Sequence, residues 1–234
     1  MHSLYTWLAG AVLFASSTAA SAAIIMWGPA EDTTGPADVV TSGFLVEAFN
    51  ATIAANVPGS VTINSVEFTN TSNLLGQAFV GALGGNSTTS GDASYDTLLN
   101  SFNFGGGTST TIDIGGAGGL SIGSSYLVQV WYTDLRGTTR NMIFGDGAGN
   151  TVTLNQRGER LGQFAIGQFV ADGGTQTLSL ATNGFGFLNA HITGYQIRTN
   201  EPPPPLPEPA TLLLMGGGLL GLGFAVTRRR RHAV

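Results

Sequence analysis

Tyr126-Leu127-Val128-Gln129-Val130-Trp131-Tyr132-Thr133 is the stretch on which the fold turns. It is dense in aromatic and β-branched residues, and nothing in it follows helical spacing, so it predicts a strand. Side chains alternate across a strand, which places Tyr126, Val128, Val130 and Tyr132 on one face and Leu127, Gln129, Trp131 and Thr133 on the other. The first face is the expected core face. Outward from this strand the same rhythm recurs. Short runs rich in Val, Ile, Thr, Phe and Tyr occupy 61–68, 77–83, 97–104, 110–114, 138–144, 151–156, 161–171, 175–181 and 191–198, separated by Gly, Asn, Asp and Ser clusters. That spacing predicts an all-β fold, a single β-sandwich. Two connections predict hairpins: Gly145-Asp146-Gly147-Ala148-Gly149-Asn150, and Asp172-Gly173-Gly174 between 163–171 and 175–181. Residues 84–111 are low in complexity and predict long loops around the run at 97–104. The neighbourhood of Phe44, Leu45, Ala48, Phe49 and Ile53 fits a helical face or a strand followed by a loop.

The two ends of the chain have a different composition. Leu4 to Phe14 is a short apolar run, and Ala20-Ser21-Ala22 supplies the small-x-small pattern of a signal-peptidase site, so residues 1–23 predict an export signal cut after Ala22 or Ala23. Its n-region carries no Lys or Arg. At the other end, 210–227 holds no charged side chain and as a helix would cover about 27 Å, enough to cross a bilayer core once. Arg228, Arg229, Arg230 and Arg231 follow it. Each would cost about 2.5–3.5 kcal/mol at mid-bilayer, so the tail 228–234 is expected to stay cytoplasmic and the preceding domain outside. Between them, 201–209 is proline-rich and predicts an extended stalk of about 28 Å. The ectodomain is then 24–200, long enough for one full core.

Its composition excludes several function classes. The ectodomain has twelve carboxylates against five arginines, a formal charge of −7, and the chain has no lysine. Without clustered cations it is not expected to bind nucleic acid. There is no cysteine, which removes disulfides, thiolate metal sites and cysteine nucleophiles.

Pro207-Glu208-Pro209, the Gly/Leu-rich helix beginning Ala210-Thr211-Leu212 and the terminal arginines together resemble the PEP-CTERM sorting signal. The resemblance covers about 207–231. It implies recognition of Pro207, Glu208 and Pro209 by an exosortase, an inner-membrane-anchored precursor, and then placement in the cell envelope or outside the cell. Over the second half, Val130-Trp131-Tyr132-Thr133-Asp134, Gly162-Gln163-Phe164, the run 167–172 and 191–198 look similar to the galactose-binding-like jelly-roll ectodomains that accompany this signal. That likeness bears on fold.

No constellation identifies a chemistry, and the domain is expected to be non-enzymatic and without a cofactor. His191 is the one histidine in 24–200, which excludes a multi-histidine metal site within the chain. Gly119-Leu120-Ser121-Ile122-Gly123 has the letters of a nucleophile elbow, but a strand and not a helix is expected after it. Asp146 and Asn150 are a weak calcium candidate, since calcium takes loop oxygens; a hairpin turn explains the same residues with no ion and is the favoured reading. Trp131 and Tyr132 are the candidates for stacking on a sugar ring, with polysaccharide as the partner implied. A cell-surface protein is therefore the leading reading, a carbohydrate-binding module the alternative and a small secreted hydrolase the third.

Overall fold

The computed structural model describes residues 23–52, 59–71, 73–80, 89–134, 140–155, 161–183 and 189–202. Residues 1–22 of the expected signal at 1–23, and the sorting motif, membrane helix and basic tail beyond 202, lie outside them. No helix among the described residues is long and apolar enough to cross a membrane.

In chain order the strands are β1 (Met26–Trp27), β2 (Glu31–Asp32), β3 (Phe44–Ala51), β4 (Ser60–Ile63), β5 (Val66–Thr71) and β6 (Gln77–Val80). Helix α1 (Ala93–Leu99) follows, then β7 (Ser101–Gly105), β8 (Ser109–Ile114), β9 (Ser125–Tyr132), β10 (Asn141–Gly145) and β11 (Thr151–Asn155). The last are β12 (Gln163–Val170), β13 (Gln176–Asn183), β14 (Ala190–Ile192) and β15 (Gly194–Thr199). The described residues form an all-β fold, with 52% of them in strands. They form three sheets: eight strands in the order β1-β12-β9-β15-β3-β5-β4 with β2 also on β12, four in the order β11-β10-β13-β8, and three in the order β14-β7-β6.

The two larger sheets share one apolar cluster, and this makes the fold sandwich-like. Tyr126, Val128, Val130 and Tyr132 from β9 meet Ile112, Ile114, Phe144, Leu154, Leu178 and Leu180 from the four-stranded sheet. The expected core face of β9 is therefore the core face. The opposite face is also covered: Gln129, Trp131 and Thr133 are buried, and only Leu127 is partly open. A second cluster closes over it, bringing Tyr95, Leu98 and Leu99 of α1 onto Trp131, Phe68 and Phe164.

Several local expectations change. The run at 61–68 is two strands, β4 and β5, joined by Asn64 and Ser65, both at positive φ (47° and 66°). The run at 97–104 begins in α1, whose start is fixed by Asp92 accepting from the Tyr95 N–H. Phe44–Ala51 is a strand. The turn 145–150 joins β10 to β11 as a hairpin, with Gly145 opposite Thr151. Asp172-Gly173-Gly174 does not make a hairpin, because β12 pairs with β9 in one sheet and β13 with β10 and β8 in another. It is a crossover between layers, and neither glycine needs a positive φ there.

Both ends of the domain are tied in. Ala23 packs in the large cluster, Ile25 N–H donates to Asp146 Oδ2 at 3.1 Å, and Met26 and Trp27 pair with Gln168 and Gly167. At the other end Ser124 Oγ donates to Glu201 Oε2 at 2.6 Å.

Candidate functional site

Trp131 is 0% exposed, wedged edge-on against Phe68 with ring centroids 5.7 Å apart. Its Nε1–H donates to Tyr95 Oη at 3.2 Å, and Tyr95 Oη donates to Asp38 Oδ2 at 2.9 Å. Burial, and then the Asp38 carboxylate, push the Tyr95 phenol above its ordinary range. Tyr132 is equally buried on the other face, its ring 4.6 Å from His191. Neither ring offers a free face, which corrects the expectation that Trp131 and Tyr132 stack on sugar. The reason is that β9 is a central strand covered on both sides, so its second face is not solvent.

His191 lies between the rings of Tyr132 and Phe102, at 4.6 and 4.7 Å. Arg140 Nη1 is 3.0 Å from its Nδ1 and 3.2 Å from Asp134 Oδ2. A guanidinium only donates, so Nδ1 accepts and the ring proton sits on Nε2, 3.2 Å from the Thr133 carbonyl. Both ring nitrogens are engaged in holding strand ends together. The buried acid Glu47 is also engaged. Glu47 accepts from Tyr195 Oη and from the Gly115 and Ala117 N–H groups, anchoring the loop before β9. Burial, and then Glu47, push the Tyr195 phenol up.

Asp146 accepts three hydrogen bonds within the hairpin loop, at Oδ1 from the Ala148 and Asn150 N–H groups and at Oδ2 from Asn150 Nδ2 at 2.7 Å. The Ile25 N–H adds a fourth from the segment before β1. Burial acts to raise its pKa, but the bonds from Asn150, Ala148 and Ile25 outweigh it and hold the carboxyl below its ordinary value. These donors occupy the oxygens that calcium would need, and Asn150 turns its amide nitrogen, not its oxygen, to Asp146. The pair therefore works as a turn. Among the described residues no group of three or more His, Cys, Asp or Glu could hold a metal.

What the sequence did not reveal is a groove of about 550 Å³ at the lower end of the large sheet. It begins where the cover over the second face of β9 stops. Gln129 and Gln196, paired across β9 and β15, bind each other at 2.7 Å and grip the loop above through the Asp38 and Val40 carbonyls. Arg198 ends this clamp. Its Nε donates to the Ser42 carbonyl at 2.7 Å and its Nη2 to those of Thr41 and Gly43 at 2.8 and 2.9 Å. Burial draws its pKa down, and no carboxylate among the described residues pairs with it. Beyond Arg198 the row Arg198, Leu127, Gln168, Met26 crosses four paired strands and floors the groove. Ile24, Met26 and Val170 stand 61%, 69% and 54% exposed on it, while Ser42, Asp172 and Asn200 supply a polar rim. The available signal was the glutamine pair in two otherwise apolar runs, yet pairing between residues 67 apart is not visible in a sequence.

The sorting residues Pro207, Glu208 and Pro209, with Arg228 to Arg231, lie outside the described residues. Residues 205–231 match the PEP-CTERM protein-sorting motif. No curated protein matches the chain. Among solved structures, the extracellular domain of ANXUR1 from Arabidopsis thaliana is a distant match, at 10% identity and a TM-score of 0.43. That match covers 68% of this chain and 51% of the other, so the chain spans about half the length of that neighbour.

Proposed function

We propose that this chain is exported, held in the inner membrane as a precursor and sorted by an exosortase to the cell envelope or extracellular matrix, where a jelly-roll-type β-sandwich acts without catalysis. The observation that carries the reading is the PEP-CTERM motif at 205–231, in which Pro207-Glu208-Pro209 precedes the uncharged run 210–227 and the four arginines. The arginines oppose translocation and the apolar run favours the bilayer, so the motif sits on the outer side, where a membrane enzyme reaches it. The non-catalytic reading is supported by His191, whose two nitrogens are both engaged in structural contacts. Ser121 of the elbow-like sequence lies in a loop that leads into β9, not into a helix. The test is fractionation of producing cells with and without their exosortase. A C-terminally shortened protein in the envelope or medium, replaced by membrane-held precursor when the enzyme is deleted, is the expected result. Full-length protein dissolved in the cytosol overturns it.

The alternative, a carbohydrate-binding module, now rests on the groove. Its floor, apolar at Leu127 and Met26 with Gln168 between them, and its rim at Ser42 and Asn200 match the mixed character of a sugar's faces and hydroxyls. Co-sedimentation with the producer's polysaccharide, abolished by Gln168→Ala in a variant of unchanged melting temperature, favours this reading; equal retention of both proteins removes it.

A further inference from the structure

The sequence allows export cleavage on either side of Ala23, because Ala20-Ser21-Ala22 and Ser21-Ala22-Ala23 both place small residues where a signal peptidase reads them. The fold distinguishes the two. Ala23 is 8% exposed, and its carbonyl accepts from Gln176 Nε2 at 2.9 Å. The same Nε2 donates to the Thr177 carbonyl at 2.9 Å. Both partners are acceptors, so the Gln176 amide cannot be turned over. Its Oε1 therefore points elsewhere, and it is buried with no donor, in a side chain only 1% exposed. An orphaned buried acceptor of this kind is rare in a native protein and marks a missing donor. The next residues are already in register: Ile25 is fully buried, and Gly28 N–H reaches the Ile166 carbonyl at 2.8 Å.

We propose that the Ala22–Ala23 bond is the one hydrolysed on export, and that the Ala23 ammonium so formed is received by Gln176 Oε1. This rests on the export reading above. Water adds to the Ala22 carbonyl carbon, the C–N bond breaks, Ala22 leaves as a carboxylate and the Ala23 nitrogen takes up protons to become an ammonium. A single-donor amide becomes a group with three donors, one residue's backbone away from the carbonyl that the same glutamine holds. Asp172 lines the same groove as Ala23. A cut after Ala23 would instead remove the carbonyl that Gln176 holds and set the charge directly before buried Ile25.

N-terminal sequencing and intact mass of the full chain from the envelope or extracellular fraction test the assignment. A first residue of Ala23 is expected. A start at Ile24 or beyond overturns the assigned bond while leaving export intact, whereas retained Met1 overturns both. Reception of the ammonium has its own readout, because the chain has no lysine and an amine-reactive reagent can label only the terminus. Labelling of the folded mature protein is expected to be several-fold slower than in urea, and faster in a folded Gln176→Leu variant. Equal rates in folded wild type, folded variant and urea overturn the role of Gln176.

Discussion

At the scale of single residues, the decisive quantity is whether a polar atom or ring is already occupied. Trp131 looked available because it shares a strand face with Gln129 and Thr133, yet all three are buried, Trp131 beneath α1, Gln129 beneath the loop before β3 and Thr133 against Leu161. Trp131→Ala should cost about 3–5 kcal/mol in chemical denaturation. Trp131→Phe should cost clearly less, since it keeps most of the packing and loses only the bond to Tyr95. Equal costs would show that the indole is not packed as described. Asp146 offers a pH test. Its folded pKa lies below the unfolded one, so it stabilises the fold above the ordinary carboxylate range, and the contribution is lost as pH falls through the folded value. Asp146→Asn should therefore be less stable than wild type at neutral pH, by about 1–3 kcal/mol, with the gap narrowing below about pH 4 in parallel melting curves.

At the scale of elements, turns and close crossings govern where strands go. Asn64 and Ser65 form a two-residue connection with both φ values positive, a geometry that favours glycine at the second position. Asn64 must stay, because its Nδ2 donates to the Val39 carbonyl at 3.0 Å. Ser65→Gly should raise stability by about 1 kcal/mol, and a β-branched residue there should lower it, both read as shifts in the denaturation midpoint. Gly194 is constrained by space instead. A Cβ there would lie 2.6 Å from Leu98 Cδ1 and 2.8 Å from the Phe49 carbonyl oxygen, where α1 crosses β15 and β3. Gly194→Ala should cost about 1–3 kcal/mol, measured in the same way. Hairpin 145–150 was legible because its glycines join two runs that do pair. Asp172-Gly173-Gly174 has the same local chemistry and links two different sheets, so turn composition predicts a reversal of direction but not the partner.

At the scale of the whole molecule, address and fold are encoded in different ways. Replacing Arg228 to Arg231 with serine should weaken the topological anchor, so that less precursor has its domain outside, as measured by protease protection of spheroplasts. Unchanged protection would remove the arginines from that role. The sequence by itself determined the all-β class, the inward face of β9, the hairpin at 145–150 and the sorting motif, because each is written in contiguous residues as a period, a turn or a run of one polarity. Only the tertiary structure decided that β9 is covered on both sides, that Trp131, Tyr132, His191 and Asp146 are already satisfied, and that the glutamine clamp stops at Arg198 and leaves a groove. Those features depend on which distant strands become neighbours. Neighbourhood is settled by the joint burial of many apolar faces and the pairing of every buried donor and acceptor, a condition on the whole chain that no single stretch carries.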